Sequence, residues 1–142
     1  MTIRQLSVFV ENKQGTLSGI IEVLAEAGID IRALTIADTT DFGILRLIVK
    51  NPEEAKKVLQ DKNFVVTINH VLGVEVPDKV GGLALLLRVL DNAHINIEYM
   101  YDFLAIKKEK AYIILRVENT AKAAELLEKN GIRCVQDSDI VF

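Results

Sequence analysis

Two short segments carry residue types that could hold a small charged molecule. Residues 11–17 read ENKQGTL and residues 77–83 read PDKVGGL, and each leads from an apolar run directly into a stretch with helical periodicity. The free N–H groups and the positive dipole end of a helix N-terminus favour a carboxylate. Glycine allows the backbone to approach a ligand closely. Both segments therefore predict a place for an anionic group.

A second polar segment follows each of these helical stretches. It reads Asp30-Ile31-Arg32 in the first case and Asn96-Ile97-Glu98 in the second. A side-chain oxygen there could accept hydrogen bonds from an ammonium group. Donors for a carboxylate and an acceptor for an ammonium group are the minimum for holding a free amino acid. From the residues alone, the alternative stays open that the turns only join strand to helix and the polar residues only face water.

Other kinds of site have no matching residues. His70 and His94 are isolated, without partners at metal-ligand spacing, and no Ser/His/Asp or Cys/His arrangement can be assembled. The phosphate-loop spacing G-x-x-x-x-G-K-[ST] is absent. We therefore expect no catalytic residues, no metal and no cofactor.

Composition limits the class of protein. The chain has 142 residues, 50% of them hydrophobic, a formal charge of −3 and one cysteine, Cys134. The acidic balance argues against a nucleic-acid surface, and no apolar run approaches the roughly 20 residues of a membrane helix. A lone cysteine cannot form an internal disulfide, which fits a reducing cytoplasm.

The two loop segments belong to an internal repeat. Residues 6–31 match residues 72–97 at a fixed offset of 66, and residues 47–51 match residues 115–119 after a two-residue insertion. The matched pairs include Leu6 with Leu72, Val8 with Val74, Val10 with Val76, Lys13 with Lys79, Gly15 with Gly81 and Leu17 with Leu83. The chain is therefore a duplication, with two domains at residues 1–69 and 70–142.

Periodicity predicts the same elements in both copies. In the first copy we expect strands at 6–10, 29–33, 44–49 and 64–66, and helices at 16–27 and from Pro52. In the second we expect strands at 72–76, 95–103, 111–117 and 133–141, and helices at 82–93 and 120–130. This β-α-β-β-α-β order predicts an α+β, ferredoxin-like fold with both helices on one face of an antiparallel sheet.

The other sheet face is bare in one isolated copy. The third strand of each copy is apolar on both sides, as is Tyr99-Met100-Tyr101, and large bare apolar faces mark interfaces. We therefore expect the copies to pack on one another, chains to pair as a homodimer, or both. Tyr99, Tyr101 and Phe103 alternate on one strand. Packing is the favoured role for them, and a pocket for an apolar side chain is the alternative.

The pattern of a strand, D-x-x-G-x-L and a helix ending in A-G-I-x-I or A-x-I-N-I resembles the ACT domain. The resemblance covers the whole chain as two tandem copies and is clearest in residues 76–101, VPDKVGGLALLLRVLDNAHINIEYMY. It implies a small regulatory module that most often binds amino acids. Gln14 and Val80 stand where the family usually has proline, and Asp30 stands where asparagine is common. These departures indicate that the two sites need not have equal affinity.

The resemblance also implies where a ligand would bind, namely between the first loop of one ACT domain and the second strand of its neighbour. The loop residues it assigns are Asn12, Gln14, Gly15, Thr16 and Leu17, and Asp78, Val80, Gly81, Gly82 and Leu83. The second-strand residues are Asp30, Ile31, Asn96 and Ile97. Loop amides would take the carboxylate, and Asp30 or Asn96 would take the amino group. With no residues left for an enzyme, the chain would act on a separate metabolic enzyme or regulator, or sense alone.

Two other uses of this fold remain as alternatives. RNA-binding RRM domains share the strand order but need exposed aromatic and basic residues on the central strands, which residues 42–46 and 110–112 supply only in part. A small enzyme of the acylphosphatase kind would need an arginine in a phosphate-cradling loop. Neither glycine-bearing loop contains arginine.

Overall fold

A computed structural model describes residues 2–38, 40–103 and 109–140. The chain divides into two units. The N-terminal unit holds Arg4–Asn69, and the C-terminal unit holds the described residues from His70 onward together with Thr2 and Ile3. Strands and helices follow one another in both units in the order that the repeat predicts, which confirms the α+β, ferredoxin-like fold.

The N-terminal unit is built from antiparallel strands and two helices. Its elements are β1 (Ile3–Glu11), α1 (Thr16–Glu26), β2 (Ile31–Asp38), β3 (Phe42–Val49), α2 (Pro52–Asp61) and the start of β4 (Val65–Pro77). The strand order is β2-β3-β1, and Leu47 of β3 lies opposite both Leu6 of β1 and Leu34 of β2. The helices pack on the sheet face that carries Leu6 and Val8.

The C-terminal unit repeats this arrangement. Its elements are the remainder of β4, α3 (Gly82–Asn92), β5 (Ile97–Phe103), β6 (Lys110–Val117), α4 (Thr120–Lys129) and β7 (Cys134–Val135). The strand order is β7-β4-β6-β5, with all pairs antiparallel. The order of strands is that of the ferredoxin-like frame, in which consecutive strands are not all neighbours.

The two hydrophobic cores occupy equivalent positions. Ile20 and Leu24 lie one turn apart on the buried face of α1, and Leu86 and Leu90 do the same on α3. Each fully buried Leu or Ile side chain contributes about 2 kcal/mol to stability. The further buried pairs are Leu6 with Leu72, Val8 with Val74, Leu45 with Ile113, Leu47 with Leu115, Ala55 with Ala123, and Leu59 with Leu127.

Left-handed backbone positions are repeated as well. The matched φ angles are 88° at Gly15 and 89° at Gly81, 70° at Gly28 and 56° at His94, and 67° at Asn63 and 74° at Gly131. Two of these three positions hold a non-glycine residue in one unit only. The duplication therefore preserved the conformation of the turns where it did not preserve the residue.

Two strand predictions are wrong. Residues 64–66 and 72–76 were expected as separate strands, but residues 65–66 and 72–76 belong to the single 13-residue strand β4, because residues 67–71 contain β-formers and neither glycine nor proline. The strand expected at 133–141 ends at Val135 and is followed by a 3-10 turn at Asp137–Asp139. There the Gln136 backbone N–H donates to an Asp139 carboxylate oxygen at 2.8 Å, which turns the chain away from the sheet. Residue 141 lies outside the described residues.

The aromatic stripe on β5 lies on the sheet face that points away from the helices. Tyr101 is buried, and the Phe103 and Tyr112 rings lie 5.1 Å apart on neighbouring strands. Cross-strand aromatic contacts of this kind stabilise a sheet. The expected packing role is therefore observed for Phe103.

Candidate functional site

The first loop forms a tight turn at the start of α1. Lys13 N–H donates to the Glu11 carbonyl at 2.9 Å, and Thr16 N–H donates to the Lys13 carbonyl at 3.3 Å. Gly15 is the N-cap in the left-handed conformation, and among the described residues no side chain caps this helix. Apart from the Thr16 amide, the first-turn amides that have no intrahelical acceptor are thus left for solvent or a ligand.

The second loop repeats the turn more tightly. Lys79 N–H donates to the Pro77 carbonyl at 2.9 Å, and Gly82 N–H donates to the Lys79 carbonyl at 3.0 Å. Gly81 is again a left-handed N-cap, and no side chain in the described ranges caps α3. Glycine is required at position 82 for a different reason. A Cβ there would collide with the Pro77 carbonyl oxygen.

The predicted loop residues have different roles. Asn12 ties the loop to the β2–β3 turn, since its N–H donates to the Asp41 carbonyl at 2.9 Å and its side-chain amide donates to the Thr40 carbonyl at 3.2 Å. Asp78 N–H donates to the Glu109 carbonyl at 2.9 Å in the same way. The remaining apolar members of the set, Leu17, Val80 and Leu83, are exposed.

Within one unit the loop and the second strand do not meet. They lie at opposite ends of the first helix, which has 11 residues in α1 and is therefore about 16 Å long. Asp30 pairs with Arg32 at 3.1 Å near the exposed start of β2, and Ile31 is half-buried. Asn96 and Ile97 line a separate groove with residues of α3. A site that uses both sets needs a neighbouring domain.

The first loop instead borders a cleft, called the loop cleft below. The cleft has a volume of about 590 Å³. It is lined by Phe9, Glu11, Lys13, Gln14, Gly15, Thr16, Gly19, Phe42, Asn63, Phe64 and Val65. Phe9 and Phe42 stack with their ring centres 5.1 Å apart, yet 49% and 45% of their surface stays exposed.

Sequence reasoning missed the apolar wall of this cleft. Phe9, Phe42 and Val65 belong to three different strands, and their proximity depends on strand pairing. The signal that could have found them was the repeat itself, because the matching residues of the second copy are Glu75, Lys110 and Arg133.

Charged side chains fill most of the equivalent position in the C-terminal unit. The cavity there has about 160 Å³. The Glu75 carboxylate pairs with Lys110 Nζ at 3.4 Å and with Arg133 Nη1 at 3.3 Å, and the Tyr112 hydroxyl donates to it at 3.0 Å. We call these four residues the Glu75 cluster.

Electrostatics within the Glu75 cluster are balanced in favour of the ionised carboxylate. Burial raises the pKa of Glu75, but the hydrogen bond from Tyr112 and the two cations outweigh burial, so that the pKa lies below its ordinary value. Burial and the hydrogen bond to Glu75 raise the pKa of the Tyr112 phenol. Glu75 is therefore a satisfied structural anion at neutral pH.

The two histidines and the cysteine lie apart from one another and from any metal-binding group within the described part of the chain. His70 Nδ1 lies 3.0 Å from the Thr2 hydroxyl, and His94 is the residue that ends α3 in the left-handed conformation. Cys134 is free and buried, and burial raises the pKa of its thiol to about 11. Among the described residues, no three His, Cys, Asp or Glu side chains are grouped to hold a metal ion. A helix of membrane-spanning length and hydrophobicity is absent from residues 2–38, 40–103 and 109–140.

Comparisons with known proteins agree with the observed fold. The model of the family described as "ACT domain pair" matches residues 1–142. The crystal structure of protein BT0572 from Bacteroides thetaiotaomicron is 41% identical, with a TM-score of 0.91, over 98% of this chain and 95% of that one. The regulatory subunit of aspartate kinase from Thermus thermophilus shares the fold with a TM-score of 0.65 at 16% identity, over 89% of this chain and 91% of that one. No curated protein matches. The chain belongs to the family of ACT domain pairs, as the sequence resemblance predicted.

Proposed function

We propose that the chain is a non-catalytic regulatory protein that binds a free amino acid where two ACT domains meet. The observation that carries this proposal is the duplicated strand-turn-helix loop, in which a left-handed glycine begins a helix that no described side chain caps. Membership of a family of ACT domain pairs supports a ligand-binding regulatory role.

The proposed chemistry follows from the groups at each loop. An anion at a helix N-terminus gains about 0.3–1 kcal/mol from the helix dipole when exposed, and more when partly buried. The ligand carboxylate would accept from the amides at Gly15 and Leu17, or from those at Gly81 and Leu83, because the Thr16 and Gly82 amides already donate to carbonyls of their own turns. Asn12 and Asp78 hold the loops in place through their backbone contacts. Gln14, Val80 and Gly81 complete the turns.

The ammonium group would be bound by a neighbouring domain. Asp30 is exposed and pairs with Arg32 at 3.1 Å, so its second carboxylate oxygen would serve the ligand. Asn96 offers an amide oxygen in the second copy, and Ile31 and Ile97 would flank the ligand. A homodimer would supply such a neighbour, and a separate metabolic enzyme or regulator in the cytoplasm would respond to the complex.

A thermal-shift screen with the common amino acids, confirmed by calorimetry, tests the proposal. A bound ligand stabilises the folded state by about 2.7 kcal/mol at 100 times its dissociation constant. We expect a dose-dependent rise in melting temperature with one amino acid or a related group of them. The absence of any rise at concentrations far above typical metabolite levels would refute the proposal.

RNA binding is the second candidate, because Phe9 and Phe42 are exposed aromatic residues on two central strands. Base stacking on such residues is how many sheets bind single-stranded RNA. The cation in the same cleft, Lys13, pairs with Glu11 at 2.9 Å, and the chain carries a formal charge of −3. Retention of RNA that weakens with salt would favour this candidate over the first.

A further inference from the structure

Four positions around the loop cleft carry different chemistry in the two units. The units align at the offsets of the repeat, and the left-handed residues fall on equivalent positions in both. The differing pairs are Phe9 with Glu75, Gly19 with Leu85, Phe42 with Lys110, and Val65 with Arg133. The duplication therefore kept the backbone and changed the side chains at one place in the fold.

In the N-terminal unit these positions produce an open apolar wall. The cleft volume of about 590 Å³ falls within the range of about 300–1,000 Å³ that is usual for small-molecule sites. Phe9, Phe42 and Val65 are 49%, 45% and 66% exposed, and contiguous exposed apolar surface marks a binding site. Gly19 adds room, since a Cβ built there meets no atom within 4 Å.

In the C-terminal unit three of the same positions carry charged side chains, and the fourth carries Leu85, which is 50% exposed. Glu75 is paired with Lys110 and Arg133, and its side chain is only 13% exposed. Leu85 stands where Gly19 leaves space. The remaining cavity of about 160 Å³ lies below the usual range for ligand sites. An apolar ligand group entering it would have to break satisfied ion pairs.

The loop cleft also has a polar end. Gln14, Gly15 and Thr16 line it, and they carry the turn at the start of α1. A carboxylate bound to the amides of that turn would place its attached side chain beside the stacked rings of Phe9 and Phe42. The cleft thus combines an anion-binding end with an aromatic wall, and offset or edge-on ring contacts favour a planar apolar group there.

We propose that only the loop of the N-terminal unit binds ligand, and that the ligand is a small carboxylic acid whose apolar, planar side chain packs on Phe9 and Phe42. This proposal rests on the proposed function for the carboxylate contact, and it adds the class of side chain and the unit that binds it. The second loop then keeps the fold of a ligand site without its apolar pocket.

The test is calorimetry on the full chain with phenylalanine, leucine, aspartate and phenylpropanoate. The variant is Gly19→Leu, which gives the first unit the residue that the second already has. The new side chain meets no atom at its Cβ, and leucine favours a helix over glycine. The unliganded variant should therefore melt at a higher temperature than the parent. Ala25→Leu, at an exposed position of the same helix outside the cleft, is the matched control.

We expect phenylalanine to bind more tightly than aspartate. We expect Gly19→Leu to weaken that binding by at least about tenfold, because overpacking a filled site is costly, while Ala25→Leu leaves binding unchanged. Loss of binding in a variant that is more stable cannot be explained by unfolding.

Other outcomes separate the two proposals. Binding of phenylpropanoate without any amino acid would support the loop cleft and refute an amino-acid ligand. Tighter binding of aspartate, or binding unaffected by Gly19→Leu, would overturn the assignment to this cleft while leaving the proposed function in place. If no compound binds and sedimentation shows that Gly19→Leu alters self-association, the cleft is a contact between chains and this proposal fails, whereas the proposed function fails only if the full amino-acid screen is also negative.

Discussion

Replacing Glu75 with glutamine should destabilise the protein at neutral pH and have little effect in acid. The glutamine keeps the shape of the side chain and an oxygen that can accept from Tyr112, but it removes the negative charge between Lys110 and Arg133. The two cations then lie close to a neutral group. The perturbation isolates the charge of the cluster from its packing.

The expected loss follows from the contacts of the carboxylate. Lys110 and Arg133 are about half exposed, 43% and 48% for their side chains, so each ion pair is worth roughly 0.2–1 kcal/mol. Weakening the charge-assisted hydrogen bond from Tyr112 adds about 1 kcal/mol. The free energy of unfolding at pH 7 should therefore fall by about 2 kcal/mol in Glu75→Gln.

The direction of the pKa shift of Glu75 determines how the difference in stability between parent and variant changes with pH. The folded-state pKa of Glu75 is lowered from 4.5, so the ionised cluster stabilises the fold above the unfolded pKa, and this stabilisation is lost as the pH falls through the folded pKa. Below that pKa the parent is also neutral at position 75. The difference between parent and variant should shrink accordingly.

Urea unfolding of both proteins at a series of pH values from neutral to acid measures the difference. Glu125→Gln is the control, because Glu125 pairs with Lys129 on the exposed surface of α4, where both side chains are about 70% exposed, and such pairs contribute little. An equal loss at pH 7 and in acid would refute the reasoning, since it would mean that the loss does not depend on the charge of the Glu75 carboxylate.

Three further predictions concern local structure. His94→Gly should raise the free energy of unfolding by about 1 kcal/mol, because His94 has a φ of 56° and an L-residue in the left-handed region is strained. Gly28→Ala, at the matching position of the first unit, should lower it by a similar amount. Urea unfolding measures both. Asn119→Ala should lower the free energy of unfolding by about 1 kcal/mol, since the Asn119 side chain accepts from the Lys122 N–H at 3.0 Å. Asn51→Ala should lower it by less, because the Asn51 side chain makes no cap hydrogen bond. Urea unfolding compares the two variants. Cys134, whose thiol pKa is raised to about 11, should react with a thiol reagent only after unfolding, and rapid labelling of the native protein would contradict this.

The fold was predictable from the sequence because the two copies report on the same structure. Helical spacing predicts that Leu24 and Leu90 are buried, and each is also the other's counterpart in the repeat. Apolar residues that occur by chance do not recur in this way. The ends of elements were less predictable. The Gln136 to Asp139 contact that stops the last strand, and the absence of a break within β4, have no counterpart in the repeat.

The candidate site was predictable only where it is local in sequence. Gly15 and Gly81 could be assigned to a turn because strand, glycine and helix follow one another directly. The aromatic wall could not, since Phe9 and Phe42 meet only through the pairing of β1 with β3. Matching residues between copies predicts the fold, and it is the mismatched residues at matched positions that indicate specificity.

The difference between the units extends from these side chains to the backbone of the loops. Gly82 lies so close to the Pro77 carbonyl that no Cβ fits, whereas Thr16 carries a side chain at the matching position. The turn bond is correspondingly shorter in the second loop, 3.0 Å from Gly82 N–H to the Lys79 carbonyl against 3.3 Å from Thr16 N–H to the Lys13 carbonyl. A turn packed onto its own strand leaves less room beside it, which agrees with the smaller cavity next to the Glu75 cluster. Phe9 and Phe42 stack on one another but keep nearly half of their surface exposed, which lowers solubility, and the proposed ligand, by covering them, explains their presence beside the wider turn.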